Sequence, residues 1–157
     1  MGKIVEGCVR DDEHYLRWIF DPRHVIKDDI KPSFICLRKN EEGVSGQIYE
    51  RLDSEAEIYK AAKSFERPRE AYWGYAMASA GMIRSVALDG DEVDVLMTES
   101  IVPAHAEIRF SIDGDVVIGN TPNSRLSYYF NEIKELLCRR LSKQCVKARR
   151  TNHKPNF

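Results

Sequence analysis

The sequence lacks the long apolar segment that would place it in a membrane. No run approaches the roughly 18 apolar residues of a spanning helix, and the first residues, Met-Gly-Lys-Ile-Val-Glu, have no signal-peptide core. Gly2 is not followed by serine or threonine at the myristoylation position, so no lipid anchor is indicated. We therefore expect a cytoplasmic protein without a membrane partner.

Paired cysteines and metal-binding spacings are also missing. The cysteines Cys8, Cys36, Cys138 and Cys145 include no Cys-x-x-Cys pair, and no histidine stands at zinc spacing from them. We expect reduced thiols, as in cytoplasmic proteins, and no bound metal. The aspartates at 89–94 and 113–115 do not have the spacing of a calcium loop, so we interpret them as hairpin turns.

The sequence contains none of the familiar catalytic or phosphate-binding motifs. Both Gly-x-Gly-x-x-Gly and Gly-Lys-Ser/Thr are absent, which removes dinucleotide-binding and P-loop proteins from consideration. There is no nucleophile elbow, and sequence spacing alone assembles no Ser/His/Asp set. No cofactor is therefore expected.

The net charge of −1 is unevenly distributed along the 157 residues. Residues 139–157 hold seven basic residues and no acid, so the first 138 residues carry a net charge of −8. Such asymmetry is typical either of an arm that contacts nucleic acid or an acidic partner, or of a solvated terminus. The candidate contact residues are Arg139, Arg140, Lys143, Lys147, Arg149 and Arg150.

The apolar pattern predicts one α+β domain over residues 1–145 and a basic, flexible tail over 146–157. Helices are expected over 11–20, 54–65 and 124–141, and strands over 33–38, 44–49, 71–77, 82–88, 92–97, 106–112 and 116–118. Ser54 and Glu57 have the spacing of a capping box at the start of the second helix.

Turn signals suggest how these strands pair. Residues 40–43, 89–91 and 113–115 have turn chemistry, including two Asp-Gly pairs, which tolerate the positive φ of tight hairpins. We expect a mainly antiparallel sheet of five to seven strands. A long amphipathic helix from Ser124 to Leu141 is expected to pack across one face of this sheet.

One predicted strand carries the best candidate for a chemical site. Pro103 precedes an alternating segment in which His105, Glu107 and Arg109 fall on the face opposite to the apolar residues. Together they could supply a general base, an orienting carboxylate and an anion clamp. The alternative is a solvent-facing strand with mixed charges.

Two further features have both a functional and a structural interpretation. His24 in a loop could bring a second imidazole to the site, or could be a hydrogen-bonded loop residue. The aromatic residues at 72, 73, 75, 128 and 129 could stack nucleic-acid bases. Glu66 and Glu70 offset Arg67 and Arg69 beside them, which favours a place in the core.

Four segments resemble a group of short bacterial proteins of uncharacterised function. They are Asp21-Pro22-Arg23-His24-Val25, Pro32-Ser33-Phe34, Val44-Ser45 and Pro103-Ala104-His105-Ala106, and the similarity spans residues 12–110. Lys31 and Gly46 depart from the group's pattern. The resemblance implies a bacterial cytoplasmic protein and adds weight to His105, but it implies no reaction.

Two classes of function remain open. The first, which we favour, is a binding or accessory module that acts on a macromolecular partner within a multi-gene bacterial system. Its partner is expected to be a protein, with nucleic acid as the alternative. The second is a small hydrolase or nuclease that uses His105 with Glu107 and Arg109. Convergence of these residues with His24 in a concave pocket would favour the enzyme.

Overall fold

The fold is an antiparallel sheet with helices on both faces. The computed structural model describes residues 7–119 and 123–142. Its strands are β1 (His14–Asp21), β2 (Val25–Ile26), β3 (Asp29–Ile30), β4 (Gly43–Ile48), β5 (Ala71–Ser79), β6 (Glu92–Met97), β7 (His105–Ile112) and β8 (Asp115–Val116). Its helices are α1 (Ala56–Phe65), α2 (Ala80–Arg84) and α3 (Ser124–Cys138), with 3₁₀ turns at Pro32–Phe34 and Tyr49–Arg51. The expected α+β class is confirmed.

The main sheet has the order β5-β1-β4-β7-β6, and β8 pairs with β7. Every pairing in it is antiparallel. One face packs against α2 and α3 and forms the larger core cluster. On the opposite face, α1 packs over β1 and β5 and forms a second cluster around Leu16, Trp18 and Phe20. The tail over 146–157 lies outside the described residues.

The helix expected over 11–20 is wrong, because most of this segment forms strand β1, which lies between β5 and β4 in the sheet. Tyr15 and Ile19 belong to one core cluster, whereas Leu16, Trp18 and Phe20 belong to the other. A strand buried on both faces has no polar face to alternate with its apolar one. Its run of apolar residues therefore imitates the stripe of a short helix.

The hairpin expected between 33–38 and 44–49 is also wrong. Pro32–Phe34 is a 3₁₀ turn, and β4 pairs with β1 and β7. Gly46 lies where β4 meets β1, and a Cβ atom there would lie 2.2 Å from the Leu16 carbonyl oxygen. Glycine is thus required for the close approach of these two strands.

The strand expected over 82–88 is replaced by the short helix α2. Ser79 caps this helix, because its side chain accepts the N–H of Met82 at 3.2 Å. Residues 89–91 therefore join a helix to β6 and do not form a hairpin. The second predicted Asp-Gly hairpin is confirmed between β7 and β8, with φ of 53° at Asp113 and 87° at Gly114.

The capping box predicted for α1 is not formed. The Ser54 side chain makes no capping hydrogen bond, and the Glu57 carboxylate accepts the N–H of Asp53 at 2.7 Å.

The C-terminal helix, α3, ends at Cys138, three residues earlier than expected. Its buried residues are Leu126, Tyr129, Ile133 and Leu137.

A polar cluster ties α3 to the turns at the end of the sheet. The Asp91 carboxylate accepts hydrogen bonds from the Tyr129 hydroxyl, from Arg125 and from the N–H of Asp113. The Tyr129 hydroxyl in turn accepts the N–H of Leu88 at 3.0 Å. Hydrogen bonds with Tyr129 and Arg125 lower the pKa of Asp91, so its carboxylate is charged at neutral pH.

The helices of the described residues include no candidate for a membrane-spanning segment, since none combines the necessary length with the necessary hydropathy.

Candidate functional site

The alternation predicted for β7 is confirmed, and Glu107 and Arg109 pair with each other, whereas His105 is bonded to Thr98. His105 is 8% exposed, and its Nδ1 lies 2.6 Å from the Thr98 hydroxyl. The Glu107 carboxylate accepts from Arg109 Nε at 3.0 Å. Burial lowers the pKa of His105, although the charge of Glu107 opposes this shift, so the imidazole is neutral at pH 7.

The Pro-Ala-His-Ala segment has a structural role in joining β1, β4 and β7. The buried Gln47 side chain donates to the Pro103 carbonyl at 3.0 Å and accepts from Trp18 Nε1 at 3.0 Å. Ala104 has a φ of 54°, and its carbonyl accepts the N–H of Ile48 at 2.9 Å. Left-handed backbone is unfavourable for alanine, so these bonds hold Ala104 in place.

His24 lies in the core, away from any open surface. It is 3% exposed, and its Nδ1 accepts the N–H of Phe20 at 3.1 Å. The rings of Phe20 and Phe34 pack against the imidazole. Burial, assisted by nearby arginines, lowers its pKa to about 3. The described structure shows no contact of His24 with His105, Glu107 or Arg109.

The basic contact residues proposed near the C-terminus are described only in part. Arg139 and Arg140 are exposed, and Arg140 Nη1 lies 3.4 Å from His14 Nε2. Lys143, Lys147, Arg149 and Arg150 lie outside the described residues. Among the aromatic candidates, Trp73 and Tyr129 are buried, in agreement with a place in the core. Tyr72 and Tyr75 are partly buried, whereas Tyr128 is 44% exposed and does not lie in the core.

A pocket that the sequence patterns did not indicate opens where β1 and β4 separate. The two strands pair at Tyr15–Ile48 and Leu16–Gln47. Beyond this point Arg17 bridges the gap, since its Nε donates to the Phe34 carbonyl at 2.9 Å and its Nη1 donates to the Ser45 carbonyl at 2.6 Å. The resulting cavity has a volume of about 190 Å³.

Four arginines line this cavity, which we call the arginine pocket. Its basic residues are Arg17, Arg23, Arg38 and Arg67, and its other walls include Trp18, Phe20, Cys36, Glu41, Ser45 and Phe65. Three of the four segments that carry the resemblance contribute to it or to the core beneath it. Arg23, Val44 and Ser45 line the pocket, and Phe34 packs below.

Positive charge exceeds negative charge in the arginine pocket. Arg23 Nε donates to Glu70 at 2.8 Å, so that guanidinium is neutralised. Arg17 donates to carbonyl oxygens and retains its net charge. Within the described part of the chain, the Arg38 and Arg67 side chains form no ion pair. Glu41 is the single acidic residue among those that line the pocket.

The rim of the pocket is held by backbone contacts. The Glu41 carboxylate accepts the N–H of Arg38 at 2.7 Å, which closes the loop at 38–41. Gly119 donates its N–H to the Glu41 carbonyl at 2.8 Å, and a Cβ atom at Gly119 would lie 1.6 Å from the Arg38 carbonyl oxygen. Arg38 is thus presented from a loop whose backbone is fixed.

Aromatic rings form the wall of the pocket that faces α1. Phe65 stacks on Trp18 with ring centroids 4.9 Å apart and an interplanar angle of 29°. Trp18 is buried, whereas Phe65 is 39% exposed. The Arg23 guanidinium lies 4.7 Å from the centroid of the Phe20 ring, within cation–π range. The pocket therefore combines guanidinium groups with a supported aromatic surface.

No local signal in the sequence indicates this pocket, because its arginines are dispersed from position 17 to position 67. The charges of Glu66 and Glu70 balance those of Arg67 and Arg69 in sequence, but the side-chain ion pairs of these two carboxylates are with other residues. Glu66 pairs with Lys63 at 2.8 Å, and Glu70 pairs with Arg23. Arg67 is left with its charge exposed beside the pocket.

No cluster of three potential metal ligands occurs among residues 7–119 and 123–142. Comparison with known proteins returned no match, since no family model, curated protein or solved structure resembles the chain at a significant level. Function is therefore inferred from the geometry of the arginine pocket.

Proposed function

We propose that this protein is a non-catalytic binding module whose arginine pocket holds a phosphate group of its partner. The single observation that carries the proposal is the charge balance. The guanidinium groups of Arg17, Arg38 and Arg67 form no ion pair within the described residues and line one cavity. The single acidic residue that lines it, Glu41, bonds the backbone N–H of Arg38. Guanidinium groups bind phosphate oxygens through paired hydrogen bonds, which makes a phosphate group the ligand of choice.

The contrast with the rest of the protein supports this proposal. The first 138 residues carry a net charge of −8, so a positive cavity among them is a local exception. A field of opposite sign confined to one cleft attracts an anion to that cleft. In this proposal the protein acts in the bacterial cytoplasm as an accessory module of a multi-gene system. The amphipathic helix α3 packs on the sheet face opposite to α1 and is part of the scaffold that supports the pocket.

The alternative of a hydrolase or nuclease based on His105 has less support. Its imidazole is engaged by Thr98, and the Glu107 carboxylate is engaged by Arg109. An orienting carboxylate would need to accept from the imidazole itself. Neither of these groups lines the arginine pocket.

The test is titration calorimetry with tripolyphosphate, which presents phosphate oxygens without any other group. We expect the wild type to bind and the double variant Arg38→Gln/Arg67→Gln to lose at least about tenfold in affinity, since two charge-assisted contacts are removed. The matched control is Lys39→Gln/Arg69→Gln, which removes two exposed charges adjacent in sequence that do not line the pocket. Equal affinity of the two double variants would contradict the proposal.

A further inference from the structure

We infer that the occupant of the arginine pocket is one nucleotide of a single-stranded nucleic acid, with its base against Phe65 and its phosphate held by Arg38 and Arg67. This inference rests on the proposed function, because it names the chemical class of the ligand for the same pocket. Its evidence is the aromatic wall, which a bare phosphate would not use.

The Phe65 ring has the features of a base-stacking surface. It is 39% exposed, and its other side is supported by the buried Trp18 ring at 4.9 Å. A supported ring loses little conformational freedom when a base stacks on it. Stacking on an aromatic side chain contributes about 1–3 kcal/mol per base and tolerates every base, because each has a π-face.

Phe65 and the arginines line the same cavity, as a ligand that carries both a base and a phosphate requires. Phe65 ends α1, and Arg67 follows two residues later on the same rim. Arg38, in the loop at 38–41, lines the same cavity. A nucleotide offers a planar base joined to an anionic phosphate, so one unit can engage both groups at once.

The cavity is too small to enclose a whole small molecule. Its volume of about 190 Å³ is below the approximately 300–1,000 Å³ of pockets that do so. In this inference the base and the phosphate contact the walls of the cavity, and the rest of the strand stays in solvent. A duplex would not fit this arrangement, because its bases are stacked on each other and unavailable to Phe65.

A phosphorylated peptide is the competing class of ligand, since arginine clusters also recognise phosphorylated side chains. The exposed ring supported by Trp18 favours the nucleic acid, because a base presents a larger π-face than most peptide side chains. The net charge of −8 on the first 138 residues repels nucleic acid outside the pocket, so we expect few phosphates of the strand to contact the protein. With one phosphate neutralised, the slope of log affinity against log salt should be about −0.7.

The experiment is fluorescence anisotropy with a short fluorescein-labelled oligothymidylate, with tripolyphosphate affinity measured in parallel by calorimetry. We expect the oligonucleotide to bind more tightly than tripolyphosphate. Phe65→Leu should weaken oligonucleotide binding about 5–150-fold, the equivalent of one lost stacking interaction. It should weaken tripolyphosphate binding much less, because the arginine side chains proposed to hold the phosphate are retained. Phe65→Trp, which keeps an aromatic ring, should retain oligonucleotide binding, and thermal melting confirms that each variant folds.

The possible outcomes separate this inference from the proposed function. Binding of tripolyphosphate without tighter binding of the oligonucleotide would overturn the inference and leave the proposed function intact. The inference is likewise overturned if Phe65→Leu has no effect, if duplex DNA binds as tightly as the single strand, or if a phosphopeptide binds more tightly. Failure of both tripolyphosphate and oligonucleotide to bind would overturn both proposals.

Discussion

His24 should make the stability of this protein strongly dependent on pH. Its pKa is about 3 in the folded protein, against 6.5 for an unperturbed histidine, because burial disfavours the imidazolium. Protonation at Nδ1 would also remove the acceptor for the N–H of Phe20. Since the unfolded chain binds this proton more readily than the folded chain, acid favours unfolding.

The magnitude follows from the two pKa values. Stability is fully present above pH 6.5 and is lost progressively as the pH falls toward 3. Each pH unit within this window removes about 1.4 kcal/mol, so His24 alone should cost about 2 kcal/mol between pH 7 and pH 5. Because His24 is only 3% exposed, solvent does little to stabilise the charged imidazolium in the folded protein.

The assay is urea unfolding at pH 7 and pH 5 for the wild type and for His24→Asn. Asparagine offers an amide oxygen to the N–H of Phe20 but does not titrate. We expect the loss of unfolding free energy between the two pH values to be about 2 kcal/mol smaller in the variant. The same loss in both proteins would refute the assignment of His24 as a buried neutral imidazole.

Three further predictions concern the scaffold. Leu137→Ala should lower the unfolding free energy by about 2–5 kcal/mol, because Leu137 is fully buried on α3, and an unchanged urea midpoint would contradict this. Arg51 lowers the pKa of Glu13 to about 2, so Arg51→Gln should destabilise the protein by about 2 kcal/mol at pH 7, with a smaller difference below pH 4.5. His105→Ala should lower the melting temperature through loss of the Thr98 contact without changing tripolyphosphate affinity. A change in tripolyphosphate affinity would contradict this structural role and would indicate that His105 takes part in binding.

Much of the fold follows from local patterns in the sequence. β7 alternates strictly, and its Asp113-Gly114 turn has the positive φ that the pattern requires. β1 resembles a helix in sequence because it is buried on both faces, and that depends on α1 packing over it from far along the chain. The sequence does not indicate α2, because its five residues, Ala80–Arg84, are too few to show a helical period.

The arginine pocket could not be predicted for a different reason. Arg38 and Arg67 have charged neighbours of both signs in sequence, and only the folded structure decides which carboxylate neutralises which guanidinium. Glu70 forms its ion pair with Arg23, 47 positions away, and bonds only the backbone N–H of the nearby Arg67. The unneutralised charge at Arg67 is therefore a property of tertiary structure.

The most direct test of phosphate binding in the arginine pocket is protection of a thiol within it. Cys36 lines the pocket, whereas Cys8 is exposed elsewhere, and both are free thiols. Alkylation by iodoacetamide, followed at each cysteine by mass spectrometry, locates a bound ligand. We predict that tripolyphosphate slows alkylation of Cys36 but not of Cys8, and that Arg38→Gln/Arg67→Gln abolishes the protection. Binding of tripolyphosphate with no selective protection of Cys36 would contradict the assignment of this pocket as the phosphate site.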